Sequence, residues 1–273
     1  MNGKQNPRIV TRKKKNKQFN IYKYILSIVI VLGLLIGGYY LYDWYTAKQY
    51  EVPIVQELKD KKEEINYSDK DDYQYNPTTQ PYVNPLPAAR SQYANNDIVA
   101  KLEIPGLEID TYITRAVNNE YYLDHSVTKV RDGLGYPFAD YRNKDLKNNR
   151  QINVYGHNSQ VDSLQDKLEL INLRAYLDKN FFENYKYMYL SLDEGKYQYR
   201  VEAVKVVTAA DPEHMKLIFF SDNDFLNHTK KLYQNTMYKR TDTTISKNDH
   251  LLVLQICNYN PANSYLLVIG KRM

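Results

Sequence analysis

The chain has 273 residues, 43% of them hydrophobic and 25% charged, with 28 tyrosines and a single cysteine. That is length enough for a body with a real core, and one cysteine excludes an internal disulfide or a cysteine-rich zinc site. The formal charge of +5 misleads: Lys4, Arg8, Arg12, Lys13, Lys14, Lys15, Lys17 and Lys23 all precede the first acidic residue, Asp43, and the 29 basic against 32 acidic residues that remain give no support to nucleic-acid binding.

Residues 1–24 form a basic tail. It flanks ILSIVIVLGLLIGGYYLY, residues 25–42, which carry no charge. The length suits a short transmembrane helix, and Tyr39, Tyr40, Tyr42, Trp44 and Tyr45 suit the outer interface. The positive-inside bias then puts the N-terminus in the cytoplasm and residues 43–273 outside. The alternative is a cleaved signal peptide, but the apolar run is long for one and no small-x-small site follows it. Residues 43–94 read as an extracellular stalk or linker. A helix is plausible after Pro53, and 67–90 hold four prolines and no periodic pattern.

From residue 95 the character changes to a catalytic-size domain, 95–273. DIVAKLEIPGLEIDTYITRA, residues 97–116, alternates apolar and polar residues on both sides of Pro105-Gly106 and predicts two strands joined by a turn. QINVYGH, 151–157, starts as a strand. Residues 164–185 have helix-like spacing in their first half. Two strands flank an Asp-Glu-Gly turn at 193–195, a helix follows at 221–238 with Ser221 or Asp222 near its N-cap, and HLLVLQIC and YLLVIGKR are the final strands. Strands dominate and long irregular connections join them. The expected fold is mainly β, a closed or partly closed barrel with inserted helices, preceded by the membrane helix.

Cys257 ends an apolar strand and precedes the loop NYNPANS. Position alone leaves it a buried small hydrophobe, an intermolecular crosslink or a working thiol. Of the five histidines, His157 stands out, because it too follows an apolar strand, in the polar turn YGHNS. His125, His214, His228 and His250 read as ordinary surface. No HExxH pair, Gly-rich phosphate loop or GxSxG occurs, so neither a metal nor a cofactor is expected.

Taken together, these segments resemble the sortase family, nearest to its class B. Residues 98–124 resemble the family's opening strands and the turn before its YYL segment. GLGYPFADYRN, 133–143, NVYGHNS, 153–159, and VLQIC, 253–257, resemble the stretches that lead to its catalytic histidine and cysteine. The resemblance covers about residues 95–273. It implies a membrane-anchored cysteine transpeptidase of a Gram-positive bacterium, with Cys257 as nucleophile and His157 as acid and then base. The implied partners are a surface protein or pilin bearing a C-terminal sorting signal, and a peptidoglycan precursor or pilin lysine as amine acceptor.

Two positions depart from the family. The arginine that opens its last strand is replaced here by Tyr265 or Ser264, and Ile256 stands where the family has Thr or Ser. Arg272 lies seven residues past Tyr265, on the opposite face of an extended strand. Tyr265 is therefore the candidate contact to substrate or oxyanion, with Arg240 as a donor from a distant segment. The alternative function is a sortase-like protein that binds sorting signals and turns over poorly.

Overall fold

The computed structural model describes residues 23–39, 41, 81–160 and 167–273. The basic tail through residue 22 and the stalk helix expected after Pro53 lie outside them. Two compact units separate within Lys48–Gln49. In the first, α1 (residues 23–39) leaves apolar side chains such as Leu26, Ile28 and Leu34 exposed. Among the described residues no helix is long and apolar enough to cross a membrane, and the expected anchor, residues 25–42, is described only in part.

In the described part of the second unit the first helix is α2 (Leu86–Gln92), in the stretch expected as linker. Leu86 and Ala89 are buried against Ile98. Arg90 reaches Asp193 with both terminal nitrogens, at 3.0 and 2.8 Å, and so ties α2 to the tip of a distant hairpin. The strands follow as β1 (Ile98–Ile104), β2 (Ile109–Thr114), β3 (Phe138–Ala139), β4 (Gln151–Gly156), β5 (Tyr187–Leu192), β6 (Gly195–Thr208), β7 (Tyr238–Lys239), β8 (Leu251–Asn258) and β9 (Ser264–Arg272). Between them lie α3 (Lys179–Asn184) and α4 (Asp222–Leu232).

Among the described residues, eight strands pair in the order β5-β1-β2-β3-β4-β8-β9-β6, and β6 returns to β5. This closes a barrel, with β7 attached to β6, and agrees with the expected mainly β fold. The predicted pair before residue 116 is β1 and β2, joined by a 3-10 turn at Pro105–Leu107. The helix expected in the first half of 164–185 is absent from its described part. There Ile171–Leu177 is a 3-10 turn whose apolar side chains are mostly buried, followed by α3. Apolar residues clustered around a tight turn imitate the spacing of one helix face.

The pleat sorts side chains by parity. Ile152 and Val154 of β4, with Leu252, Leu254 and Ile256 of β8, fill the barrel interior. Leu251 and Val253 face outward, beneath Phe225 and Leu232 of α4. That helix starts where expected: Ser221 Oγ accepts from Asp224 N at 3.1 Å, and Asp222 and Asp224 suit the positive end of its dipole.

Candidate active site

β4 and β8 are parallel neighbours, in register from Gln151↔Leu251 to Gly156↔Ile256. One residue further along each strand stand His157 and Cys257. Parallel neighbours lie about 4.8 Å apart, and residues at the same level share a face. Ile256 points into the barrel, so alternation turns Cys257 to the outer face, and His157 shares the parity of the outward residues Gln151, Asn153 and Tyr155. The two residues that sequence singles out therefore follow the ends of neighbouring strands that are distant in the chain.

Hydrogen bonds fix the segments beyond the register. Asn158 Nδ2 donates to the Cys257 carbonyl at 2.7 Å, and Tyr259 Oη donates to the Asn158 carbonyl at 2.8 Å. The His157 ring has its own support. Its Nε2 lies 2.8 Å from the Leu123 carbonyl. A carbonyl only accepts, so Nε2 carries the proton and Nδ1 of the neutral ring is left as the basic atom. Gly135 packs on this arrangement with φ +60°. A Cβ there would stand 2.5 Å from the Tyr122 carbonyl, 2.7 Å from that of Leu123 and 2.8 Å from His157 Cδ2. Only glycine fits both the backbone angle and the gap.

Burial pushes the Cys257 thiol above its usual pKa. The resting sulfur is a thiol, and its proton needs a nearby acceptor before it can attack. Among the described residues no three His, Cys, Asp or Glu side chains form a group that could hold a metal ion.

Tyr265 lies directly opposite Cys257 in the antiparallel β8–β9 ladder, so the two side chains share a face. Its ring stands 5.9 Å from that of His214 and packs at the edge of the outer apolar cluster. Ser264, the other residue at the arginine position, is buried and spent on the loop: its Oγ accepts from Asn258 Nδ2 at 2.9 Å and donates to the Pro261 carbonyl at 2.5 Å. Arg240 is committed elsewhere, with Nε on the Val201 carbonyl and a terminal nitrogen on that of Phe182, both at 2.7 Å. Arg272 is paired with Tyr199 at the far end of β9, as its spacing implied.

Two histidines read as surface are core residues. His214 is 2% exposed and His228 1%. His228 lies 2.7 Å from Gln151 Oε1 and 3.1 Å from Glu213 Oε1, while the His214 carbonyl accepts from both Gln151 and Asn153. Burial pushes both imidazoles below their usual range, while Glu213 beside His228 acts in the opposite sense. They belong to a polar layer on the outer face of β4, which continues through Tyr155 Oη to Asp140 at 2.9 Å. Burial alone would raise the Asp140 pKa, but Arg142, Asn119 and Tyr155 together hold it below the usual carboxylate range. His125 is half-buried and stacks on Tyr121. Sequence reasoning missed Leu123, Asn158 and Tyr259. Gly135 left one signal, the Gly-Leu-Gly before Tyr-Pro in a non-repetitive stretch.

No family model matches the chain. It is 30% identical over 168 residues to Sortase B of Listeria monocytogenes, a match that spans 61% of this chain and 65% of that protein. It is 26% identical over 255 residues to Sortase B of Staphylococcus aureus, covering 90% of this chain and 95% of that one. The X-ray structure of Clostridium perfringens Sortase B superposes with a TM-score of 0.63 at 25% identity, covering 69% of this chain and 99% of the other.

Proposed function

We propose that this chain, a class B-like sortase by sequence and fold, cleaves a C-terminal sorting signal on a surface protein or pilin and transfers the acyl fragment to an amine. The observation that supports the reading is the β4–β8 register, in which Gly156 pairs with Ile256 and His157 and Cys257 each follow by one residue. His157 takes the thiol proton through Nδ1. The sulfur attacks a backbone carbonyl, the C–S bond forms, and the C–N bond breaks as His157 passes that proton to the departing amine. An incoming amine then attacks the thioester and loses a proton to His157. The C–S bond breaks, and the thiolate recovers that proton. The acceptor is a cell-wall precursor amine or a pilin lysine, and residues 25–42 hold the enzyme at the membrane with its domain outside.

Incubating the full-length protein in detergent micelles with a sorting-peptide library tests this by mass spectrometry. The expected result is a thioacyl adduct on Cys257 that is absent from Cys257→Ala. An adduct of equal yield in the alanine variant overturns the mechanism.

The second reading is a sortase-like binder that turns over poorly, favoured by Tyr265 standing where an arginine is expected. A tyrosine hydroxyl offers one neutral donor in place of a charged fork, and charge-assisted bonds are roughly twice as strong. Peptide binding without any adduct selects this reading.

A further inference from the structure

A cavity of about 150 Å³ opens beside His157, and Cys257 is not part of its wall. Its lining includes Asp132, Leu134, Tyr136, His157, Lys167 and Glu169. Its position follows from the sheet. β3 pairs with β4 through Phe138↔Tyr155, on the edge of β4 away from β8, and the 134–137 segment that lines the cavity runs directly into β3. Across the sheet the order is therefore cavity, His157, Cys257, Tyr265.

The chemistry of the proposed reaction gives that order a direction. His157 handles the same kind of atom twice: the nitrogen that leaves in the first half-reaction and the nitrogen that arrives in the second. The carbonyl carbon sits on the sulfur of Cys257 throughout. The nitrogen therefore lies between thiol and imidazole, and whatever is bonded to it continues away from Cys257, past His157. The cavity lies on that path.

We propose that this cavity is the subsite for the chain attached to the reacting nitrogen: the first residues of the leaving fragment, and afterwards the residues that carry the acceptor amine. This rests on the transpeptidase reading above. The volume, about that of a void known to hold benzene, suits small unbranched residues. Asp132 and Glu169 against the single cation Lys167 favour an amino-terminal peptide rich in N–H donors over an anionic acceptor. Asp132 also holds the turn, since its Oδ1 accepts from Leu134 N at 3.0 Å, which leaves the exposed Glu169 as the side chain to change.

The test starts from acylated full-length protein in micelles and measures the ratio of its capture by triglycine to its capture by hydroxylamine. Hydroxylamine is small and largely uncharged at neutral pH, and carries no chain to place in the cavity. In Glu169→Lys and in Leu134→Trp the ratio should fall about tenfold, the size of one lost contact of about 1.4 kcal/mol, through KM for triglycine. Leu134→Trp is checked for folding by thermal melting, and if it does not fold Glu169→Lys decides alone. A ratio in Glu169→Lys equal to that of the unmodified protein overturns the assignment of the cavity while the transpeptidase reading stands. Failure of the unmodified protein to form any acyl-enzyme overturns that reading, and this inference with it.

Discussion

The inner face of the β4–β8 pair and the outer face of β4 bury different chemistry. Inward, Ile152, Val154, Leu252, Leu254 and Ile256 are each no more than 1% exposed and belong to the apolar barrel core. Outward on β4, Gln151, Asn153 and Tyr155 carry hydrogen bonds to His228, His214 and Asp140, and the row ends at His157. One strand thus serves stability on even residues and positions chemistry on odd ones. A strand alternates by geometry alone, so the division needs no extra structure.

Perturbing each face separately shows how clean that division is. The largest change in stability is expected from Asp140→Ala. It leaves Arg142 without the carboxylate it meets at 2.8 and 2.7 Å and strips Tyr155 and Asn119 of their acceptor, and losing these bonds to a buried carboxylate, at about 1 kcal/mol each, costs about 3–5 kcal/mol. Chemical denaturation measures it. The sign with pH is fixed: the folded pKa is depressed, so the contribution is full above the ordinary carboxylate range and fades as pH falls through the folded value. The unmodified protein should therefore lose more stability on acidification than Asp140→Ala, and equal acid sensitivity in the two would remove Asp140 from the account.

Leu254→Ala cuts the inner face. Loss of a buried leucine costs about 2–5 kcal/mol, yet thioacyl formation by the molecules still folded should persist. Gly135→Ala cuts the outer one. Misplacing a reacting group by about 1 Å can cost roughly 10²-fold in rate, and acyl transfer should fall by that order. If Leu254→Ala proved the more damaging to rate per folded molecule, the two faces would not be separable.

The smallest effects concern Cys257 and its neighbour across the ladder. Alkylation of Cys257 by iodoacetamide should keep rising with pH beyond the point where an exposed cysteine levels off, because burial raises its pKa. Tyr265→Phe should slow single-turnover acylation by less than the roughly 10²-fold or more typical of a full oxyanion donor, and Tyr265→Arg should match or exceed the unmodified rate. An unchanged rate in Tyr265→Phe takes the hydroxyl out of the mechanism and leaves backbone N–H groups to do its work.

Much of this was legible in sequence because alternation and apolar strand ends are written in side chains. β1 and β2 follow from period two, β4, β8 and β9 from short apolar runs, and His157 and Cys257 from the polar turns after those runs. The rest depends on partners that residue identity does not carry. The Leu123 carbonyl that orients His157 is backbone, and any residue supplies one. α2 is seven residues long, too short for a periodic signal, and is held by Asp193 from another part of the chain. His214 and His228 looked exposed because nothing local told of Gln151 and Glu213.

The parallel β4–β8 pairing has a consequence for the order in which the molecule becomes itself. Cys257 and His157 meet only across strands separated by about ninety residues of intervening chain, and β8 also supplies the edge on which β9 lies. During synthesis a chain that stops short of β8 has made the imidazole but has no thiol, and its barrel stands open at both β4 and β6. Such edges invite pairing with other chains. Contacts so distant in sequence form slowly. Competence and barrel closure therefore arrive in one late event, and the unfinished protein is a hazard for aggregation before it can be one for uncontrolled acyl transfer.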